Sequence, residues 1–182
     1  MGTHDSTLST IPAGTRLEHL YADVGLPQGA LLGLLKAAFG GDDAPPWPAN
    51  QRGLLWSAGQ LRGHVSVQRR WFIVNQRYFE GWFVGGVCTH PDVQGSGIAT
   101  QLLQRAHADL RRQELSFAVL NCNRTLVGFY ERVGYVQIAA RALYIRADQI
   151  MLDEDPALAI SLKTGFDVAV LACAAFPFGF DF

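Results

Sequence analysis

The run "VCTHPDVQGSGIATQLLQRA", residues 87–106, passes from a β-rich segment through a glycine-studded turn into an amphipathic helix. That junction constrains the fold more than any other feature of the chain. Ala99, Leu102, Leu103, Ala106 and Leu110 share one helical face, which must be buried against a neighbouring layer. A strand that enters such a helix points to a mixed architecture of sheet and helices. The turn itself, "QGSGIA" from Gln94 to Ala99, also carries chemistry. A helix N-terminus presents unpaired N–H groups and a partial positive charge, and glycines ahead of it let a bulky anion reach the backbone. The turn lacks the lysine and the Ser/Thr of a P-loop, and it lacks the full dinucleotide fingerprint. On these residues alone it is either a phosphate cradle or a plain strand–helix junction.

The remaining segments supply the other layers. "TRLEHLYADV" predicts a first strand. "PQGALLGLLKAAFGG" predicts a helix with Leu31, Leu34, Leu35 and Ala38 on one face, Pro27 at its start and Gly40-Gly41 beyond its end. "DDAPPWPAN" is a proline-rich loop with the composition of a substrate rim or an ordinary connector. Three strands, "GLLWSA", "RGHVSVQRRWFIV" and "RYFEGWFVGGVCTH", with short turns at "GQL" and "NQ", form an antiparallel meander. "LSFAVLNC" reads as a central strand, and Asn123 caps a second helix carrying Leu126, Phe129, Tyr130 and Val133 on one face, ended by Gly134. "YVQIAARALYIRA" predicts one strand, and "ALAISL" and "DVAVLACAAF" predict two more. The expected fold is therefore α+β, a mixed and mostly antiparallel central sheet flanked by helices. Residues 1–13 read as a flexible arm and 14–182 as one domain, with 148–182 a C-terminal strand extension. Its apolar strands need a partner surface, so pairing between subunits in a homodimer is expected.

Charge and cysteine usage narrow the function. A formal net charge of −1 with no basic stripe argues against a nucleic-acid binder. Cys88, Cys122 and Cys173 have no close spacing, which fits a reducing cytoplasm, and the five histidines form no ligand pair, so no metal is expected. No apolar h-region opens the chain and no run approaches ~18 apolar residues, so neither a signal peptide nor a membrane partner is expected.

Two blocks taken together identify a relative. Gln94, Gly97 and Ala99 match the Q/R-x-x-G-x-G/A hallmark of the GNAT N-acetyltransferase superfamily. About thirty residues on, "LNCNRTLVGFYERVGY" resembles that family's N-x-x-A-x-x-F/L-Y-x-x-x-G-F/Y block, with Leu126 in place of the alanine. The resemblance covers roughly residues 54–144. It implies a GNAT fold whose central strands, residues 84–89 and 117–121, splay apart, with acetyl-CoA as co-substrate. The pantetheine arm would lie along Val87, Cys88 and Thr89, and the amides of Gln94, Gly95, Ser96, Gly97, Ile98 and Ala99 would hold the pyrophosphate. Asn123 would bond the pantetheine, cap its helix, or do both. Tyr130 would protonate the leaving thiolate, and the Val87 N–H would stabilise the oxyanion. By spacing alone, Tyr130 is equally a core aromatic.

The resemblance implies an amine of a small molecule as the acceptor. Within the superfamily, "AAFGGDDAPPW", "GHVSVQRRWFIV", "GWFVGGVCTHPDVQGSGIATQLL" and "FGFDF" are similar to aminoglycoside 2'-N-acetyltransferases. That likeness implies substrate contacts from Asp42, Asp43, Trp47, Gly85, Asp181 and the terminal carboxylate of Phe182. This chain departs from it at Gly85, where those enzymes carry a glutamate, and at Pro46, where an acid is expected. Glu80 is a substitute base, but strand alternation puts it on the face opposite Gly85 unless a bulge at Gly81 intervenes. His90 and water are other routes for the amine proton. The loss of an acid at Gly85 also leaves open a non-catalytic acyl-CoA-binding module, and a peptide amine or a longer acyl donor is a further alternative.

Overall fold

The computed structural model describes residues 14–40, 48–146 and 149–181. The N-terminal arm and the rim residues Asp42, Asp43 and Trp47 lie outside the described residues, as does Phe182. Among the described residues, ten strands and three α-helices follow one another as β1 (Arg16–Tyr21), α1 (Gln28–Phe39), β2 (Gln51–Ser57), β3 (Gln60–Val74), β4 (Arg77–Thr89), α2 (Ile98–Leu110), β5 (Phe117–Asn121), α3 (Val127–Arg132), β6 (Val136–Ile138), β7 (Arg141–Arg146), β8 (Gln149–Leu152), β9 (Ala157–Ser161) and β10 (Ala175–Asp181). All the strands belong to a single sheet, ordered β6-β9-β5-β4-β3-β10-β7-β8, with β2 and then β1 continuing from β3. Among the described residues no helix is long and apolar enough to cross a membrane.

The meander forms as expected. Ala58-Gly59 and Asn75-Gln76 all have positive φ, and they close the β2–β3 and β3–β4 hairpins at the pairs Ser57↔Gln60 and Val74↔Arg77. Two left-handed residues in a two-residue loop match the right-handed twist of the strands, so the first turn lies at Ala58-Gly59 rather than at "GQL". α1 and α2 also form where periodicity puts them.

Alternation along β3 and β4 separates two faces. Val65, Val67, Trp82 and Val84 pack against Leu102, Leu103 and Ala106 of α2 in the main core, which Tyr130 of α3 joins. On the other face, Leu31 and Leu34 of α1 bury with Leu54, Leu61 and Cys88, while Phe72, Phe83 and Phe117 form a further cluster with Leu171. Burying each of these aliphatic or aromatic side chains contributes about 1.5–3 kcal/mol.

Three C-terminal expectations change. The segment "YVQIAARALYIRA" divides into β6 and β7, because β6 pairs with β9 whereas β7 pairs with β10 and β8. "DVAVLACAAF" begins not as a strand but as a 3-10 turn, Val168–Cys173, where the Asp167 side chain accepts from the Ala169 N–H and so caps the turn. A short apolar run has no period that tells strand from helix, and the cap decides. Residues 148–182 are also more than an extension. β9 lies between β5 and β6, and β10 lies between β3 and β7, so both find their partners within the chain. The unpartnered strands that motivated a homodimer are thus already paired.

α2 approaches the sheet closely at Gly63. A Cβ there would overlap Ile98 Cγ2 and stand 2.9 Å from Leu102 Cδ1. Gly63→Val is therefore expected to cost about 1–3 kcal/mol of stability through overpacking, read as a lower urea midpoint. A midpoint equal to that of the unmodified protein would mean that α2 is not held against β3 at this point.

Candidate active site

β4 and β5 run parallel but hydrogen-bond at only two positions, Trp82↔Ala118 and Phe83↔Val119. Beyond them β5 stays registered with β9 over its whole length, while β4 bends away. The bend has a local cause. The β3–β4 register slips between His64↔Cys88 and Ser66↔Gly85, which places one extra residue in β4, and Gly86 takes the left-handed φ of +57°. The bulge is thus at Gly86-Val87, not at Gly81. The edge of β4 from residue 84 to 89 faces a cleft instead of a strand, as the resemblance implies.

One half of this cleft, about 560 Å³, runs to the start of α2. It is lined by Val87, Cys88, Thr89, Gln94, Gly95, Gly97, Ile98 and Ala99. Gly95 and Gly97 have φ of +78° and +84°, which L side chains rarely adopt. Gly97 caps α2 with no side-chain hydrogen bond, and no acid stands in the first turn. The leading amides therefore have no side-chain acceptor and no competing anion, which suits a phosphate group. Ser96 is set apart: its hydroxyl donates to the Val93 carbonyl at 2.5 Å and tightens the turn instead of lining the cleft. Arg132, which the sequence did not single out, and Phe129, read only as part of an apolar helix face, also line this half.

The other half, about 580 Å³, lies between α1 and the open face of β3 and β4. Its walls include Leu35 and Phe39 of α1, Arg52, the β3 residues His64, Ser66 and Gln68, then Gly85 and Gly86, and finally Asn121 to Asn123. Val87, Leu126, Phe39 and Tyr130 border both halves, so Tyr130 and the bulge stand where the two meet. Asn123 lines the second half, and its Oδ1 accepts from the Thr125 N–H at 3.0 Å, so the expected cap is present. Gly85 is where the resemblance puts it, beside Ser66, whose hydroxyl donates to the Gly85 carbonyl at 2.8 Å. The described lining of this half contains no carboxylate.

Glu80 does not reach the cleft. Cross-strand pairing puts it on the α2 face, where it pairs with Arg69, which also binds Glu114 at 2.8 Å. With the bulge five residues further along, alternation holds and Glu80 is a half-buried ion-pair partner, not a base. His90 caps the 3-10 turn Pro91–Val93 by accepting from the Asp92 N–H. The Asp181 backbone pairs with Arg146 at the end of β10.

Three of the residues that sequence reasoning missed lie on one stripe of β3. His64, Ser66 and Gln68 alternate with Val65 and Val67, and they are 1%, 6% and 6% exposed. Alternation was legible, but a polar stripe ordinarily faces water; here it faces the cleft. Arg52, 1% exposed, donates to Asp23 through both Nε and Nη2, and its Nη1 lies 3.1 Å from His64 Nε2. His64 Nδ1 lies 2.7 Å from the Gly86 carbonyl. Burial, reinforced by the Arg52 charge and only partly offset by that carbonyl, lowers His64 to about 4. Burial alone would raise Asp23, but hydrogen bonds from Arg52 and the Ala49 amide hold its carboxyl below the ordinary value. Burial also raises Cys88 to about 12, Cys122 to about 11 and the Tyr130 phenol well above its usual range. At neutral pH the site thus holds protonated thiols, a protonated phenol and a neutral imidazole. It can bind an anion, align an amide-bearing chain on a strand edge, and give up a proton from Tyr130.

Comparisons with known proteins agree on the fold. A sequence model of the acetyltransferase (GNAT) domain matches residues 31–138, more than half of the chain. No curated protein matches the sequence. Among solved structures, a GNAT family N-acetyltransferase (YhbS) from Escherichia coli, in complex with CoA, superposes with a TM-score of 0.61 at 18% identity, covering 92% of each chain. The ribosomal-protein-S18-alanine N-acetyltransferase of Escherichia coli gives 0.57 at 16% identity, covering 84% of this chain and 97% of that one. A probable N-acyltransferase from Enterococcus faecalis gives 0.55 at 18% identity over 68% of this chain, which spans only 32% of that protein.

The buried histidines make stability depend on pH. Burial also holds His107, bonded to the Tyr135 hydroxyl, at about 4. An unfolded histidine titrates near about 6.5. Between these values the unfolded chain binds more protons, so stability is complete above about pH 6.5 and falls as pH drops toward about 4. Each histidine contributes on the order of 3 kcal/mol to that loss. Chemical denaturation at a series of pH values is expected to follow this slope; a flat profile from pH 7 to pH 5 would mean that neither imidazole is buried neutral.

Proposed function

Because the chain belongs to the GNAT acetyltransferases, we propose that it is an acetyl-CoA-dependent N-acetyltransferase acting on a primary amine of a small molecule. The observation that carries this reading is the continuity of the cleft. The uncapped start of α2, the open edge of β4 and the Tyr130 phenol lie along one passage whose far end is a separate pocket. The residues fit the co-substrate: the amides of Gly95, Gly97, Ile98 and Ala99 and the nearby Arg132 suit a pyrophosphate, whereas the Gln94 and Ser96 N–H groups donate to Pro91 and Val93 within the turn, and the free β4 edge at Val87 and Thr89 suits the pantetheine amides. When bound, acetyl-CoA supplies an electrophilic thioester carbon and a thiolate leaving group. The Val87 N–H at the bulge donates to the acyl oxygen as negative charge develops there. Tyr130, kept protonated by burial, donates its proton to the departing sulfur. His64 does not take the amine proton, since its Nε2 is engaged by Arg52. That proton leaves to solvent through the acceptor half.

The acceptor half favours an amine with a compact, partly apolar body. Leu35, Phe39, Phe83 and Leu126 supply apolar walls, and Ser66, Gln68 and Asn121 supply orienting hydrogen bonds. An aminoglycoside acetylated at its 2'-amine is the acceptor suggested by the sequence likeness. It would need carboxylates from outside that lining, such as Asp42, Asp43 and Asp181, as anchors, because the described lining offers a polycation none. The thiols of Cys88 and Cys122, buried and protonated, suit a reducing cytoplasm.

Incubation with acetyl-CoA and a panel of monoamines, amino sugars and aminoglycosides, with free thiol as the readout, is expected to show turnover on monoamines. Turnover on aminoglycosides alone would reverse the acceptor preference. CoA binding without thiol release from any amine would leave only the acyl-CoA-binding module. Tyr130→Phe is expected to lower kcat by about 10²-fold or more at unchanged CoA affinity. An unchanged kcat would remove the phenol from the proton path.

A further inference from the structure

The bulge in β4 is held by side chains of β3 as well as by its backbone. The Ser66 hydroxyl donates to the Gly85 carbonyl at 2.8 Å, and His64 Nδ1 meets the Gly86 carbonyl at 2.7 Å. A carbonyl only accepts, so Nδ1 carries the imidazole proton and Nε2 is left as an acceptor. The group facing Nε2 is a guanidinium nitrogen, Arg52 Nη1 at 3.1 Å, which can only donate. The remaining edge of Arg52 is taken by the Asp23 carboxylate, itself fixed by the Ala49 N–H at 3.1 Å. Every donor and acceptor direction in this chain is thereby determined, from the turn before α1, through β2 and β3, to the bulge.

The peptide joining Gly86 to Val87 is trans and planar, so its N–H points opposite to its carbonyl. With the carbonyl pinned toward His64, the Val87 N–H is turned away from β3, toward the edge that β5 leaves open. We propose that Asp23, Arg52 and His64 are positioning residues: a relay that fixes and polarises the Gly86-Val87 peptide so that its N–H is aimed at the acyl oxygen. This rests on the acetyl-CoA reading above. A cation on Nε2 makes Nδ1–H a stronger donor, and a stronger bond to the carbonyl makes the N–H at the other end of the same amide more acidic. A merely structural role accounts for the relay less well. One buried carbonyl is satisfied by a hydroxyl, as Ser66 does for Gly85, whereas burying a guanidinium together with an imidazole carries a desolvation penalty. Arg52 and His64, both 1% exposed, line the acceptor half directly behind the bulge.

The test needs no acceptor amine. Acetyl-CoA labelled with carbon-13 at its carbonyl is bound to the full chain, and the carbonyl stretch is read by isotope-edited difference infrared spectroscopy. In the unmodified protein the band is expected below that of free acetyl-CoA, the signature of a strong hydrogen bond. His64→Leu, which lacks the donor, is expected to move the band back toward the free value with CoA affinity unchanged. His64→Asn, whose side-chain amide can still donate to Gly86, is expected to restore part of the shift. An identical band in all three proteins overturns the relay while leaving the acetyl-CoA reading intact. Failure of the unmodified protein to bind acetyl-CoA overturns both. Should the leucine variant not fold, nitrogen-15 spectra of the unliganded, histidine-labelled protein decide the matter: a proton on Nδ1 and a bare Nε2 support the relay, and a proton on Nε2 overturns it.

Discussion

The separation of β4 from β5 is the constraint on which the rest of the structure depends. Two parallel strands that pair at Trp82 and Phe83 would be expected to continue, because each unpaired buried amide or carbonyl carries a penalty. They part where the extra residue at Gly86-Val87 displaces β4, while β5 keeps its course along β9. The result is a strand edge inside the protein, with hydrogen-bonding capacity for an extended ligand that itself carries amides. An inner edge of this kind is hidden from other sheets, so it escapes the aggregation hazard of an outer one.

The two faces of β3 divide the labour. Val65 and Val67 anchor α2, and with it the glycine turn that the proposal gives to a diphosphate. His64, Ser66 and Gln68, one residue out of phase, form the floor of the acceptor half. One face of β3 thus supports α2 and the other lines the cleft, and the pleat sets their relative placement. Tyr130 closes the arrangement from α3, with its ring edge-on to Phe129 and Tyr135. Packed in this way, its hydroxyl has few positions available, which suits the proton delivery proposed for it.

Much of this was legible from residues alone. The glycine turn, the apolar faces of α1 and α2, the hairpins of the meander and the Asn123 cap all rest on short-range rules of backbone freedom and periodicity, and they formed as read. Where the reading went astray, the deciding term was not local. "DVAVLACAAF" is apolar enough for a strand, yet a capping aspartate at its start turns it into a 3-10 helix. "YVQIAARALYIRA" breaks because its halves pair with different strands. The polar residues of "GHVSVQR" alternate as a solvated stripe would, and nothing in their spacing announces that α1 will roof them over.

The sequence by itself determined which groups are available for chemistry: glycine amides at the start of α2, a phenol one helix away, and a glycine where a carboxylate was expected. Those follow from residue identity and from periods of 2 and 3.6, which act over a few residues. Only the tertiary structure decided which of them meet. It sent Glu80 to the α2 face and an ion pair with Arg69, brought Asp23, Arg52 and His64 behind the bulge, and left the β4 edge open. The physical reason is that strand partnering and register are long-range choices: a single extra residue in β4 reverses which groups face the cleft, and no local signal fixes where it is inserted.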